Sequence, residues 1–165
     1  MKDLSLIETA FFLKKIMLFE ELDLDLLVVI ADKMNQDIFD EKDKVFEITG
    51  KASLMYFIAQ GEVQLLDENS LPFQTLGPAE FFGDESLFAS TQREYQAVCS
   101  ENTLFLTLSK TNLLTIISEC PSIAIALLSH YAHKTSCRHI PENQKDKNIT
   151  NKEQRVNHSS LKTGI

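Results

Sequence analysis

The stretch from Glu80 to Cys99, EFFGDESLFASTQREYQAVC, holds the residues best able to do chemistry. Gly83 opens a short segment, Asp84 to Phe88, long enough for one helical turn, and Arg93 stands at the start of the next strand. Backbone N–H groups at a helix start and a guanidinium fork together suit a phosphate. Asp84 or Glu85 is then left to accept a sugar hydroxyl. The same spacing supports a plainer alternative, in which Arg93 pairs with Asp84, Glu85 or Glu94 as a surface salt bridge. The two readings differ in what the arginine does for folding. A phosphate-binding arginine in an open site is expected to be exposed, so its loss leaves the ligand-free fold untouched, whereas loss of a pairing arginine unpairs a carboxylate.

Other chemistries find little support. GxSxG, HExxH, GxxxxGK and GxGxxG are all absent, and the five glycines stand too far apart for a phosphate-cradling loop of those types. No enzymatic activity is expected. Cys99, Cys120 and Cys137 are an odd number at wide spacing, which reads as reduced thiols. His130, His133, His139 and His158 all fall within the last 36 residues. His130 and His133 have helical i,i+3 spacing but no acidic or thiol ligand at a matching offset, so a solvated helix face is expected there and no metal. A metal-dependent jelly roll needs histidines within its strands, and none stands there.

The elements that must position Arg93 read helix, strands, helix. Leu4, Ile7 and Phe11 follow helical spacing and predict a first short helix, with Phe11 and Phe12 turned to the core. Asp23 precedes Leu26, Leu27, Ile30 and Met34, which predicts a second helix with Asp23 as its N-cap. From Asn35 the period changes. Ile38 and Phe39, Val45 to Ile48, Leu54 to Ala59, Val63 to Leu66, Phe73 to Leu76, Tyr95 to Cys99 and Thr103 to Leu108 are β-branched or aromatic runs, separated by Gly, Pro, Asp and Asn. Seven or eight strands so spaced predict a sandwich or barrel. Pro121 then opens a run with Ile123, Leu127, Leu128 and Tyr131, a helix to about Lys134.

Charge divides the chain near Cys137. Residues 138–165 carry six basic and three acidic groups, no aromatic residue and five scattered aliphatics, which leaves −11 of the overall −8 on residues 1–137. The last 28 residues are expected to be a disordered basic tail, since so little apolar surface cannot offset ordering entropy. The acidic remainder disfavours nucleic acid as a partner. No apolar run is longer than that of Leu26 to Ala31, which falls far short of a membrane span of roughly 20 residues. The N-terminus places Asp3 and Glu8 where a secretory signal keeps apolar residues, so a cytoplasmic location is expected.

In this order of parts the chain resembles the cyclic nucleotide-binding domain family from about Met17 to Cys137. The segments that carry the likeness are LFEELDLDLLVVIADKM, KVFEITG, LMYFIAQGEVQLL, LGPAEFFGDESLF and REYQAV. The family's phosphate-binding cassette reads approximately FGE-x-A-L, then an arginine followed by two small residues and a strand. Phe82, Gly83, Asp84, Ser86, Leu87 and Arg93 stand at those places. The resemblance implies a mainly β, α+β fold: a jelly-roll-like β-roll with N-terminal helices and a C-terminal lid helix, all within residues 1–137. It implies a cyclic phosphate on Arg93, a ribose 2′-hydroxyl on the acid, and a base against the last helix, where Leu127, Leu128 and Tyr131 are lid candidates. Ligand-binding candidates are Phe82, Gly83, Asp84, Glu85, Ser86, Leu87, Arg93, Glu94 and Tyr95.

Several positions depart from the family pattern. Asp84 is one methylene shorter than the usual glutamate, Glu94 and Tyr95 replace the small residues after the arginine, Gln96 stands where Ser or Thr is frequent, and Ala79 replaces a common glycine. Glu94 also takes the place of the hydroxyl residue that reads guanine in cGMP-selective members, which puts cAMP ahead of cGMP. The resemblance therefore implies a non-enzymatic sensor, without cofactor, that passes a ligand-induced helix movement to an unknown protein effector or through a helical homodimer. A ligand-free interaction module with an eroded cassette is the alternative.

Overall fold

The computed structural model describes residues 2–89 and 92–135; the tail expected at 138–165 lies outside them. The chain divides into residues 1–130 and residues 131–165. Helices α1 (Leu6–Leu13) and α2 (Leu24–Asp32) lead into strands β1 (Asn35–Phe39), β2 (Lys44–Phe46), β3 (Leu54–Gln60), β4 (Val63–Leu66), β5 (Pro72–Leu76) and β6 (Phe81–Phe82). A short helix α3 (Asp84–Ala89) follows, then β7 (Gln96–Cys99), β8 (Thr103–Ser109), α4 (Lys110–Glu119) and α5 (Pro121–Thr135). Among the described residues no single helix is long and apolar enough to cross a membrane.

The strands form two four-stranded sheets, ordered β1-β8-β3-β6 and β2-β7-β4-β5, with every pairing antiparallel. Together with the flanking helices they make the β-roll that the resemblance implies. Residues alternating along each strand meet between the sheets: Tyr56, Ile58, Phe82 and Phe105 from one, Val63, Leu65, Leu76, Ala97 and Cys99 from the other. The opposite face of the first sheet is buried as well. Met55, Phe57, Leu104, Leu106 and Leu108 are inaccessible there, and Phe57 meets Phe19 from the segment after α1 at 5.5 Å. A strand covered on both faces has no polar side, which is why LMYFIA runs apolar without alternation.

The helices match the expectations only in part. Phe11 is not turned to the core but is 56% exposed, and Phe12 is half-buried; α1 instead buries Thr9, Ala10 and Leu13. Small side chains on the inner face let an eight-residue helix approach its neighbours, which two phenylalanines would hold off. Asp23 does sit at the N-cap of α2, but its side chain makes no capping bond, whereas Ser5 and Glu8 form a reciprocal capping box on α1. Helix α4 was not among the expected elements. It follows β8 without a break, with Ser109 accepting from the Asn112 N–H as its cap.

The turn before β6 explains a departure from the family pattern. The Glu80 N–H donates to the Gly77 carbonyl at 3.1 Å across Pro78 and Ala79, and Ala79 adopts φ +70°. A proline followed by a left-handed residue is type II turn chemistry, which suits glycine at the second position. Ala79 holds that conformation because its N–H donates to the Ile58 carbonyl, while the Ile58 N–H donates to Glu80. Ala79→Gly should relieve the strain and stabilise the protein by about 0.5–1 kcal/mol, net of the extra chain entropy. Urea melts of both proteins measure it, and a lower midpoint for the variant contradicts the account.

Candidate functional site

The site lies where β6 runs into α3 and where the chain re-enters the second sheet at β7. Arg93, three positions before β7, is 2% exposed. Its Nη1 donates to the Gly83 carbonyl at 2.7 Å, its Nη2 to the Leu54 carbonyl at 2.5 Å, and its Cζ stands 4.1 Å from the Phe46 ring centroid. The backbone is anchored too: the Thr49 N–H donates to the Arg93 carbonyl, and the Arg93 N–H to Gly50. Leu54 opens β3 and Gly83 follows β6 in one sheet, Phe46 belongs to the other, and the guanidinium fastens the two together. Its Nε is buried and has no hydrogen-bond partner among the described residues.

This corrects both expectations for Arg93. The side chain is not exposed in an open site, and among the described residues its partners are carbonyls and a ring rather than the carboxylates of Asp84, Glu85 or Glu94. Leu54 and Phe46 were not foreseen as parts of the cradle. Phe46 carried a usable signal, being the aromatic of the KVFEITG segment; a backbone carbonyl 39 residues away in sequence carries none.

Gly83 is what lets the guanidinium approach. It adopts φ +81°, and a Cβ placed there would lie 2.6 Å from Arg93 Nη1. Its N–H donates to the Tyr95 hydroxyl at 3.0 Å. The Glu85 carboxylate lies close enough to the hydroxyl to interact with it. The Tyr95 ring, half-buried just ahead of β7, packs on Phe46 at 5.4 Å and edge-on to Phe73 at 6.0 Å.

The remaining candidates divide. Phe82 is buried in the intersheet core, stacked on Tyr56 at 5.2 Å. Asp84 is buried at the first position of α3, and Glu85, next to it, is the carboxylate that meets Tyr95. Ser86 and Leu87 fall in α3, but their side chains lie outside the described set. Glu94 is exposed. Gln96 donates to the Ser70 hydroxyl at 3.0 Å. On α5, Leu127 is buried and Leu128 is 66% exposed, while Tyr131 belongs to the second unit. The cassette also touches α5 through Phe81, whose ring lies 5.9 Å from that of His130.

Glu85 is exposed as a residue, but partial desolvation of its carboxyl pushes it above its ordinary range and the nearby Asp84 adds to the rise, while the interaction with Tyr95 opposes it. Burial and the Glu85 contact likewise push the Tyr95 hydroxyl up, so it stays protonated and able to donate. A carboxyl whose folded value is raised takes up its proton more readily when folded. Its contribution to stability is therefore complete below the unfolded value and fades as pH rises through the folded one. Glu85→Gln, which cannot ionise, should gain in melting temperature relative to the wild type as pH rises from the ordinary carboxylate range towards neutrality. A difference that is flat with pH, or of the opposite slope, contradicts a raised Glu85.

The comparisons with known proteins bear on this geometry. The model of the family described as "Cyclic nucleotide-binding domain" matches residues 37–120, which contain the cassette and both sheets but for the first two residues of β1. A protein of Thermus thermophilus named "Cyclic AMP receptor protein" is 28% identical over 119 residues, which is 70% of this chain and 53% of that relative. The chain thus spans about half the length of that curated relative. Among solved structures, the N-terminal domain of a transcriptional regulator from Streptomyces coelicolor superposes with TM-score 0.70 at 23% identity, covering 79% of this chain and 98% of that one. The catabolite activator protein of Thermus thermophilus gives TM-score 0.65 at 22% identity, over 81% of this chain and 62% of that one. At these identities the structures speak for the fold.

Proposed function

Because the chain belongs to the cyclic nucleotide-binding domain family, we propose that it is a non-enzymatic cytoplasmic module that binds a cyclic nucleotide, cAMP in preference to cGMP, beside Arg93. One observation carries the reading. Arg93 is a buried cation held by neutral carbonyls and a ring, with one N–H unpartnered among the described residues. A charge taken out of water in this way calls for an anion, and the phosphodiester of a cyclic nucleotide supplies one negative charge and two exocyclic oxygens. Glu85 is the carboxylate nearest in function to a ribose acceptor, in place of the shorter Asp84.

The output is a population shift. Ligand phosphate on Arg93 favours one arrangement of Gly83 and α3, and the Phe81 ring, one residue before Phe82 and in contact with His130, couples that arrangement to α5. The face that α5 and the N-terminal helices present is offered to an effector protein or to a second copy of the chain. A ligand-free interaction module remains the second reading, favoured by the Tyr95 hydroxyl lying between Gly83 and Glu85. Calorimetric titration of the purified chain decides between them. Binding of cAMP is expected, with cGMP no more than tenfold tighter. Heats of dilution alone from both nucleotides remove the sensor reading.

A further inference from the structure

The Tyr95 hydroxyl accepts from the Gly83 N–H at 3.0 Å, and the Glu85 carboxylate lies close enough to interact with it, both within the cassette. A hydroxyl in this place has an N–H to accept from and a carboxylate to donate to, one partner for each of its hydrogen-bonding capacities. A sugar hydroxyl placed against Glu85 would need the same two partners. The ring behind it is packed on Phe46 on one side, but Phe73 on the other is 57% exposed, so the outer contact can give way. Tyr95 also precedes β7 rather than belonging to it, which leaves its backbone outside the strand ladder.

We propose that Tyr95 is the built-in occupant of the nucleotide site, its hydroxyl filling the seat that the ligand's ribose hydroxyl takes once Tyr95 is displaced. The proposal rests on the cyclic nucleotide reading of the site. Its consequence is that the wild-type seat is satisfied before the ligand arrives. A nucleotide hydroxyl that enters gains only what Tyr95 gives up, so the wild type discriminates weakly between cAMP and 2′-deoxy-cAMP. When the tyrosine hydroxyl is absent, cAMP gains both hydrogen bonds outright, while 2′-deoxy-cAMP leaves the N–H of the buried Gly83 unsatisfied.

Tyr95→Phe keeps the ring and removes the hydroxyl. Titrations of both proteins with cAMP and 2′-deoxy-cAMP should show cAMP binding the variant roughly tenfold tighter, and a cAMP to 2′-deoxy-cAMP preference larger by a similar factor than in the wild type. A change in packing alone would move both nucleotides together and leave that preference unaltered. Tyr95→Ala, checked for folding by circular dichroism, repeats the measurement with the ring gone. If the wild type binds cAMP and neither variant alters affinity or preference, Tyr95 is not the occupant and the nucleotide reading stands. If the wild type and both folded variants bind neither nucleotide, the nucleotide reading falls and the occupant with it.

Discussion

Arg93→Ala is expected to abolish measurable cyclic nucleotide binding and also to lower the melting temperature of the ligand-free protein. The affinity loss should be some thirtyfold or more, as is typical when one partner of a charge-assisted, partly desolvated anion contact is removed. The loss of stability comes from burial. Truncation leaves the Gly83 and Leu54 carbonyls without their donors, empties the space beside Phe46 and removes the fastening between the sheets. Hydrogen bonds to charged groups contribute roughly 1.5–3 kcal/mol each, offset by the cost of burying the cation, so a net loss of about 3 kcal/mol is expected. For a unit of this size that is on the order of 10 °C. Arg93→Lys keeps the charge without the planar fork and can reach one carbonyl at a time, so it should recover part of the stability and little of the affinity. Scanning calorimetry of the three proteins without ligand checks the first half of the claim. An unchanged melting temperature in Arg93→Ala would show that the guanidinium does not hold the sheets together.

Gly83→Ala attacks the same cradle from the other side. At φ +81° a non-glycine residue is strained by about 1–2 kcal/mol. In addition its Cβ would meet Arg93 Nη1 at 2.6 Å and Cζ at 3.2 Å, so the guanidinium must move. Together these should cost roughly 2–4 kcal/mol of stability, together with most of the nucleotide affinity. Gly77→Ala is the matched control. It has no positive φ, and its Cβ would find only Glu80 Oε2, at 4.0 Å, so a change within about 0.5 kcal/mol is expected. Equal losses in the two variants would mean that the glycine effect is not local to the arginine.

Much of this was legible in the sequence, for reasons that differ by element. The strands announced themselves because each is a β-branched or aromatic run closed by turn residues, and Val63 to Leu66 was foreseen to the residue. Strand β6 escaped because two residues are too few for any period, and α4 because Ser109 serves both β8 and the helix cap, leaving no break to read. Phe11 misled because helical spacing groups it with Ile7 without saying which face turns inward, and the buried face is that of Thr9, Ala10 and Leu13. At the site, spacing located Gly83, Glu85 and Arg93. It could not show the burial of Arg93, which depends on Leu54 and Phe46 arriving from separate strands. Tyr95 was visible as a departure from small residues, but its bond to Gly83 depends on a turn that only the folded chain makes.

An arginine that closes the roll and, on the proposed function, also faces a ligand would answer to two selective pressures. If a lineage of this fold ceased to meet cyclic nucleotides, the demand for a folded protein would still retain the residue that joins Leu54, Gly83 and Phe46. Glycine would persist at position 83 for the same reason. Drift after such a loss would appear first at positions with no share in the clasp, such as the exposed Glu94, so those positions rather than the arginine record whether a ligand is still being selected for.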